Sequence, residues 1–508
     1  MVDRRTWLQR AAAAATLLGT YGAASASGTA DASDAQAAAT GATAGAATDT
    51  APPVTARLAR YAREISLADY PADVRHQGAR TLLNWLGCAI GGSHDAAVVH
   101  AAAALTPFAG PPQAQLLGRT ERVDALTAAL INGIAGHVLD YDDTHLKTII
   151  HPAASVVPAL LALAQHQRVS GAQFLNALLI GVETECRIGN AVYPSHYELG
   201  WHITGTCGVF GAAAACGRLL DLSQEQMVWA LGLAASQPVG LKIQFGTDTK
   251  SFHPGRAAQG GLLAALLAQQ GFTAAAASLE GRDGWGQALS RAHDWSQITA
   301  GLGTHFESAL NTYKPFACGI VTHPAIDAAI QLRNAYALGE PAGERSIRSI
   351  QLQANPLVLS LTGKHSPQSG LDGKFSIYHC IAAAIVFGAA GVHQFTDAAV
   401  RDPRVIALRD RVSVQTDPAV STEQCTLTIA LADGRRLSRH IEHAIGSLER
   451  PMSDAQLEGK FRDLGRDVLP EAQQTRLLQL CWQVGELSDA GAIAHAAAAA
   501  TPGKTQQT

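Results

Sequence analysis

From Thr55 to about Ile298 apolar residues recur at helical spacing almost without a break, and Ala, Leu and Gly supply most of them. Val74-x-x-Gln77-x-x-x-Thr81-Leu82-Leu83-x-x-Leu86 and Gln173-Phe174-Leu175-x-Ala177-Leu178-Leu179-x-Gly181-Val182 each place an apolar stripe on one helix face. Helices so rich in small residues bury their stripes by packing closely on one another. Residues 55–300 are therefore expected to form an all-helical domain. Gly91-Gly92, Gly110-Pro111-Pro112 and Asp221-Leu222-Ser223 punctuate it, with Ser223 as the N-cap of the following helix. No G-x-G-x-x-G follows a strand pattern, which argues against a dinucleotide-binding half.

The texture changes after Gly301. Ser349 to Ala354, Val412 to Thr416 and Cys425 to Leu431 alternate like strands, the last running into the turn Ala432-Asp433-Gly434-Arg435. Helical patterns at about Pro324–Ala337 and Ser376–Ala390 lie between them. This predicts a smaller α+β domain over 301–440. The pattern is helical again from Ser453, so 441–493 reads as C-terminal helices that dock back on the first domain. Residues 494–508 read as a loose, disordered tail. The predicted fold class is mainly α.

With 508 residues, 47% of them apolar and 16% charged, the chain has material for large cores. A formal net charge of −4 without a basic stripe excludes nucleic acid as an expected partner. The eight cysteines are scattered, with no C-x-x-C pair, so neither structural zinc nor an iron–sulfur cluster has a ligand set. At the N-terminus, Arg4-Arg5 precedes a mildly apolar run, Ala11 to Ala24, and the small-x-small site Ala24-Ser25-Ala26. Residues 1–26 thus read as a twin-arginine signal, too short and too weakly apolar for a membrane span, which implies a periplasmic destination. Residues 27–54 are expected to be a disordered linker.

Chemistry concentrates in short polar clusters. In Gly136-His137-Val138-Leu139-Asp140-Tyr141-Asp142-Asp143-Thr144-His145, followed by His151-Pro152, three carboxylates fall within four residues, a repulsion tolerated where a cation or proton-transfer task uses it. Gly200-Trp201-His202-Ile203-Thr204-Gly205-Thr206 sets an imidazole and two hydroxyls before a helix expected to begin near Val209, an end suited to an anion. Lys250-Ser251-Phe252-His253-Pro254-Gly255-Arg256 groups two fixed cations and a histidine. Tyr313-Lys314-Pro315-Phe316-Ala317-Cys318 leads to His323-Pro324, and Gly373-Lys374-Phe375-Ser376 opens a helix. His137 and His145 read as ordinary core or solvated histidines. Asp142 and Asp143 serve equally well as caps or structural partners of Lys and Arg. No base is placed beside Ser251 or Thr206, so Ser–His hydrolysis is rejected. Asp140-x-Asp142-Asp143 also spells the acid motif of class II terpene cyclases, but 6% aromatic content and the nearby lysines disfavour a carbocation.

In this order, DYDDTH with His151-Pro152, GWHITGT, KSFHPGRAAQGG, YKPFACGIVTHPAID, GKFSIYH and Gly446-Ser447 resemble the MmgE/PrpD family, which includes 2-methylcitrate dehydratase, cis-aconitate decarboxylase and iminodisuccinate epimerase. The resemblance spans about Thr55 to Glu486. It implies a homodimer and an all-helical domain, built from the N-terminal part and the C-terminal helices, with an inserted α+β lid. It implies a site between them without metal or other cofactor, and a small di- or tricarboxylate substrate. Asp140, Thr144, His151 and His202 become the candidate catalytic residues, with the base drawn from Asp140 or His151 and His202 or another imidazole protonating a departing hydroxyl. Lys250, Arg256, Lys314 and Lys374 become carboxylate anchors, with His253 and His323 beside the substrate. A hydro-lyase is the first expectation. A decarboxylase, an epimerase or a non-catalytic periplasmic carboxylate-binding protein are the alternatives. One position departs: members assigned dehydratase or decarboxylase chemistry often carry cysteine or histidine where this chain has Gly319.

Overall fold

The computed structural model describes residues 53–499, so the expected signal, nearly all of the linker and the last nine residues lie outside the described residues. The helices of ten residues or more are α1 (Val54–Glu64), α2 (Ala72–Gly92), α3 (Ala96–Leu105), α4 (Ala125–His137), α5 (Ala153–His166), α6 (Gly171–Val192), α7 (Ile203–Leu219), α8 (Gln224–Ala235), α9 (Thr249–Gln269), α10 (His323–Tyr336), α11 (Ile377–Phe387), α12 (Asp454–Gly465) and α13 (Glu471–Trp482). The chain is mainly α, as its apolar spacing predicts. Ser223 does cap α8, its side chain accepting from the Gln226 amide.

Small residues set how the helices meet. A Cβ built on Gly133 of α4 would fall 2.5 Å from the Gly255 Cα of α9, so two backbones cross where neither has a side chain. That crossing holds together the helix that runs into Asp140 and the helix that carries Lys250. Dispersion between closely packed backbones replaces the large aromatic contacts this composition lacks.

The strands β1 (Ala114–Gln115) and β2 (Arg122–Val123) form a small ribbon. β3 (Asp143–His145) pairs antiparallel with β4 (Asn311–Tyr313), Asp143 opposite Tyr313. β5 (Ile347–Ala354), β6 (Val412–Thr416), β7 (Cys425–Leu431) and β8 (Arg436–Ile441) form one sheet in the order β6-β5-β7-β8, parallel only between β5 and β6. Alternate residues of β7 are buried, and α10 and α11 complete a core with Ile350, Leu352, Leu427 and Ile429. This α+β region has its own apolar core, while the described chain holds together as one unit.

From the C-terminal stretch, Phe461 and Leu464 of α12 pack against Gly87 and Gly91 of α2. The residues from Ala494 to Ala499, assigned to the loose tail, are ordered against the rest of the chain. Gly491–Ala496 is helical, Ala494 and Ala497 are fully buried, and the Ala499 amide donates to the Arg119 carbonyl. Alanine repeats that look featureless in sequence are here the small side chains of a docked helix. Likewise Val54, assigned to the linker, is a buried residue of α1. No helix among the described residues is long and apolar enough to cross a membrane. All eight cysteines are buried free thiols.

Candidate active site

The site is built at the junction between α4 and α5. After α4 ends, Asp140 adopts a left-handed backbone (φ 51°), with its amide on the His137 carbonyl at 2.9 Å. Asp tolerates this region better than most residues, and the turn points its carboxylate inward. β3 then pairs with β4, which delivers Lys314 to the same place. A second left-handed residue, Ile149 (φ 61°), reverses the chain before His151. For a β-branched side chain that conformation is an outlier held by its surroundings, as strained residues at functional sites often are.

Asp140 Oδ1 accepts from Lys250 Nζ at 2.8 Å and from Lys314 Nζ at 2.9 Å. All three groups are buried. Burial opposes ionisation of Asp140, but the two ammonium groups outweigh it and hold the carboxyl well below the usual carboxylate range. Two cations therefore share one anion, leaving an unmet positive charge in a pocket closed to most water. Burial lowers the Lys250 pKa in turn, against the pull of Asp140.

The imidazoles stand around this triad. His151 Nδ1 lies 2.7 Å from the Asp143 carbonyl oxygen and 3.4 Å from Thr144 Oγ1. A carbonyl only accepts, so Nδ1 carries the proton and Nε2 keeps the lone pair. Burial pushes His151 down to about 3, so it is a neutral, unprotonated base at neutral pH. His202 and His253 face each other through their Nδ1 atoms at 2.9 Å. Burial holds His202 well below its ordinary value and His253 at about 4. His202 occupies the N-cap position of α7, which starts at Ile203 rather than near Val209. Gly205, Gly208 and Gly211 are points of close contact within this helix.

A cavity of about 480 Å³, counting its open mouth, is lined by Asp140, His151, His202, Lys250 and Lys314 together with Gly319 and Phe375. His253 reaches it through His202. Thr144 and His323 line an adjoining cavity instead. Lys374 is buried nearby but donates to the backbone carbonyls of Leu139 and Ala317, the latter at 3.1 Å, and burial lowers it to about 8. It lines a third cavity that shares Asp140 and Lys250 with the first. Arg256 donates to Gln259 of its own helix and is only half-buried, apart from this group.

Four residues not chosen from sequence belong here: His137, Asp142, Asp143 and Lys460. Asp142 Oδ2 accepts from His137 Nδ1 at 2.8 Å, and both side chains are completely buried. Burial would raise Asp142, but the imidazole of His137 outweighs it and keeps the carboxyl ionised. Asp143, bonded to Asn311 and the Ala153 amide, is instead raised to about 7 by burial and the Asp142 charge. The acid triplet thus splits into two firmly ionised carboxylates and one, Asp143, that takes up a proton far more readily. Lys460 of α12 donates to the carbonyls of Tyr141 and Lys314 and to Asn84 Oδ1 at 2.8 Å, clamping both site-bearing segments. The density of carboxylates and imidazoles in DYDDTH was a usable signal for His137 and Asp142. Lys460, isolated in a helical pattern, offered none.

His137, Asp142 and His151 each present one ligand atom within 4.8 Å of the others, a spacing a metal ion would accept. Asp142 serves as an outer partner of His137 rather than as a free ligand, although the Nδ1 bonds of His137 and His151 leave both Nε2 lone pairs available. Lys250 and Lys314 also crowd the neighbouring space with positive charge. The trio reads as a hydrogen-bond chain that orients imidazoles.

The MmgE/PrpD N-terminal domain matches residues 56–298 and the MmgE/PrpD C-terminal domain residues 316–484. The chain belongs to the MmgE/PrpD family. Asp140 and Lys250 lie within the first match, and Lys314 in the short stretch between the two. Among relatives, the chain is 27% identical over 461 residues to a cis-aconitate decarboxylase of Aspergillus terreus, covering 86% of this chain and 94% of that protein. It is 26% identical over 387 residues to the cis-aconitate decarboxylase of Homo sapiens, covering 73% and 79%. It is 31% identical over 167 residues to a 2-methylcitrate dehydratase of Cupriavidus necator, covering 30% and 34%. These relatives are enzymes, which supports an enzymatic role here.

Proposed function

We propose that this protein is a lyase acting on a small hydroxy-di- or tricarboxylate, first of all a hydro-lyase, by removing a proton α to a carboxylate. The observation that carries the reading is the pairing of a lone-pair imidazole, His151, with an ion triad holding one excess positive charge, Asp140 between Lys250 and Lys314. A carboxylate of the substrate would meet that charge, and its α-proton would pass to His151 Nε2. Lys250 and Lys314 would stabilise the developing carbanion in a site of low dielectric. Dehydration then expels hydroxide from the adjacent carbon, which leaves as water after taking a proton. Lys250, whose ammonium is made more acidic by burial, suits that donation better than His202, which is neutral. His202, anchored by His253, would then hold a substrate oxygen. Asp140, strongly ionised and doubly paired, is a poor base and serves as counter-ion.

Decarboxylation is the second reading, favoured by the longer reach of the decarboxylase relatives along the chain. It requires loss of CO₂ and protonation of the carbanion but no initial base, so the free lone pair on His151 Nε2 weighs towards dehydration. The same reading includes an α+β lid that closes over the helical part, a homodimer, and twin-arginine export to the periplasm.

Proton NMR in deuterated buffer with citrate, 2-methylcitrate, cis-aconitate and malate tests it. Deuterium entering an α position together with loss of water, abolished in His151→Gln, is the expected result. Carbon dioxide release with deuterium delivered to the product would move the assignment to decarboxylase. Carboxylate binding without exchange would leave a binding protein.

A further inference from the structure

Beside the charged cavity lies a second one of about 700 Å³, counting its open mouth. Ile149, Ile320 and Val321 wall both, so the two spaces adjoin across an apolar threshold. One side of the threshold is the strained Ile149 (φ 61°), and the other follows Gly319, which has no side chain to narrow the passage. A Cβ there would press on Thr362 Cγ2 at 3.0 Å. Beyond it, Leu146, Pro324, Leu357 and Ile445 continue an apolar wall. Three of the polar members are already engaged within the protein: Thr144 faces His151, Ser447 accepts from the Arg450 amide at 3.2 Å, and Glu423 faces His443 at 3.5 Å. His323 lies edge-on to Phe316, with no hydrogen-bond partner on either ring nitrogen.

We infer that the substrate of this site carries an unbranched apolar chain of a few carbons on its carboxylated head, and that the chain passes between Ile149 and Gly319 into this second cavity. The inference rests on the proposed function and names its substrate class. A hydrated apolar space opening on a cation pair gains by accepting hydrocarbon while the carboxylates stay on the lysines. A compact acid such as citrate would fill only the charged half.

Two measurements separate this inference from the lyase reading. Steady-state turnover of citrate and its 2-methyl, 2-propyl and 2-butyl homologues is expected to show kcat/KM rising roughly fourfold per methylene. Leu357→Trp, which narrows the second cavity, is expected to cut the butyl-to-citrate ratio at least tenfold. A flat or falling series in the wild type overturns the inference. Isothermal titration of succinate, 2-methylsuccinate and 2-butylsuccinate, as unreactive probes, reads the chain site without chemistry. A rising affinity ladder there with no turnover of any acid keeps the chain site and defeats the lyase reading. Turnover of citrate with no ladder in either measurement does the reverse.

Discussion

Asp140 concentrates the electrostatics of the site in one side chain. Replacing it with Asn leaves Lys250 and Lys314 facing each other without an anion, and removing one partner of a buried ion pair costs about 3–5 kcal/mol. Asp140→Asn is therefore expected to unfold at clearly lower urea concentration than the wild type. A polycarboxylate should restore more stability to the variant than it adds to the wild type, because it returns the missing negative charge. An equal ligand effect on both proteins would show that the lysines do not receive carboxylates. A second residue-scale expectation concerns pH. His196 accepts from Thr206 Oγ1 at 2.7 Å and donates to the Leu289 carbonyl at 2.8 Å, and burial lowers it to about 4. Its folded value lies below the unfolded value of about 6.5, so its stabilisation is present above that value and is lost as pH falls towards 4. Between pH 7 and 5 the wild type should lose about 2 kcal/mol more than His196→Gln, read from urea midpoints across that range. Parallel pH profiles would refute the burial argument.

At the scale of elements, the α4–α9 crossing links packing to chemistry. Gly255→Val would drive a side chain into the Leu130 carbonyl and Ile134, where a Cβ already falls 2.5 Å and 3.0 Å from them. Overpacking of this kind costs about 1–3 kcal/mol. Because α9 carries Lys250 one and a half turns earlier, the variant is also expected to lose turnover out of proportion to its stability. Measuring kcat/KM well below the thermal midpoint checks this, and full activity there would separate the crossing from the site. Much at this scale was legible in the residues. Helical spacing located α2 and α6, and alternation located β5, β6 and β7. β3 and β4 escaped because three-residue strands have no period to detect, and their pairing joins residues far apart in the chain. β8 escaped because only Leu437 and Ile441 of its six residues are buried.

For the molecule as a whole, the C-terminal helices reach back to the active site through Lys460. Its ammonium, lowered to about 8 by burial, holds carbonyls from the helical segment and from the α+β side together and lies over the Tyr141 ring. Lys460→Met fills similar volume but leaves three buried acceptors unpaired, at about 1–3 kcal/mol for each. Loss of stability together with a raised KM is expected, since Tyr141 and Lys314 flank the substrate anchors. Retained KM at lowered stability would make Lys460 a purely structural pin. What the sequence determined by itself was the local and the compositional: helices from apolar spacing, the α+β change after Gly301, and the clusters that hold Asp140, His151, His202, Lys250 and Lys314. These depend on neighbours within a few residues. Only the tertiary structure decided which charges share a partner, why Asp142 stays ionised while Asp143 takes up a proton more readily, and why Arg256 stands apart from a cluster three residues from His253. Such outcomes are set by burial and, for Asp140 with Lys250 and Lys314, by groups more than a hundred residues away, whose fields are strong only where folding has excluded water.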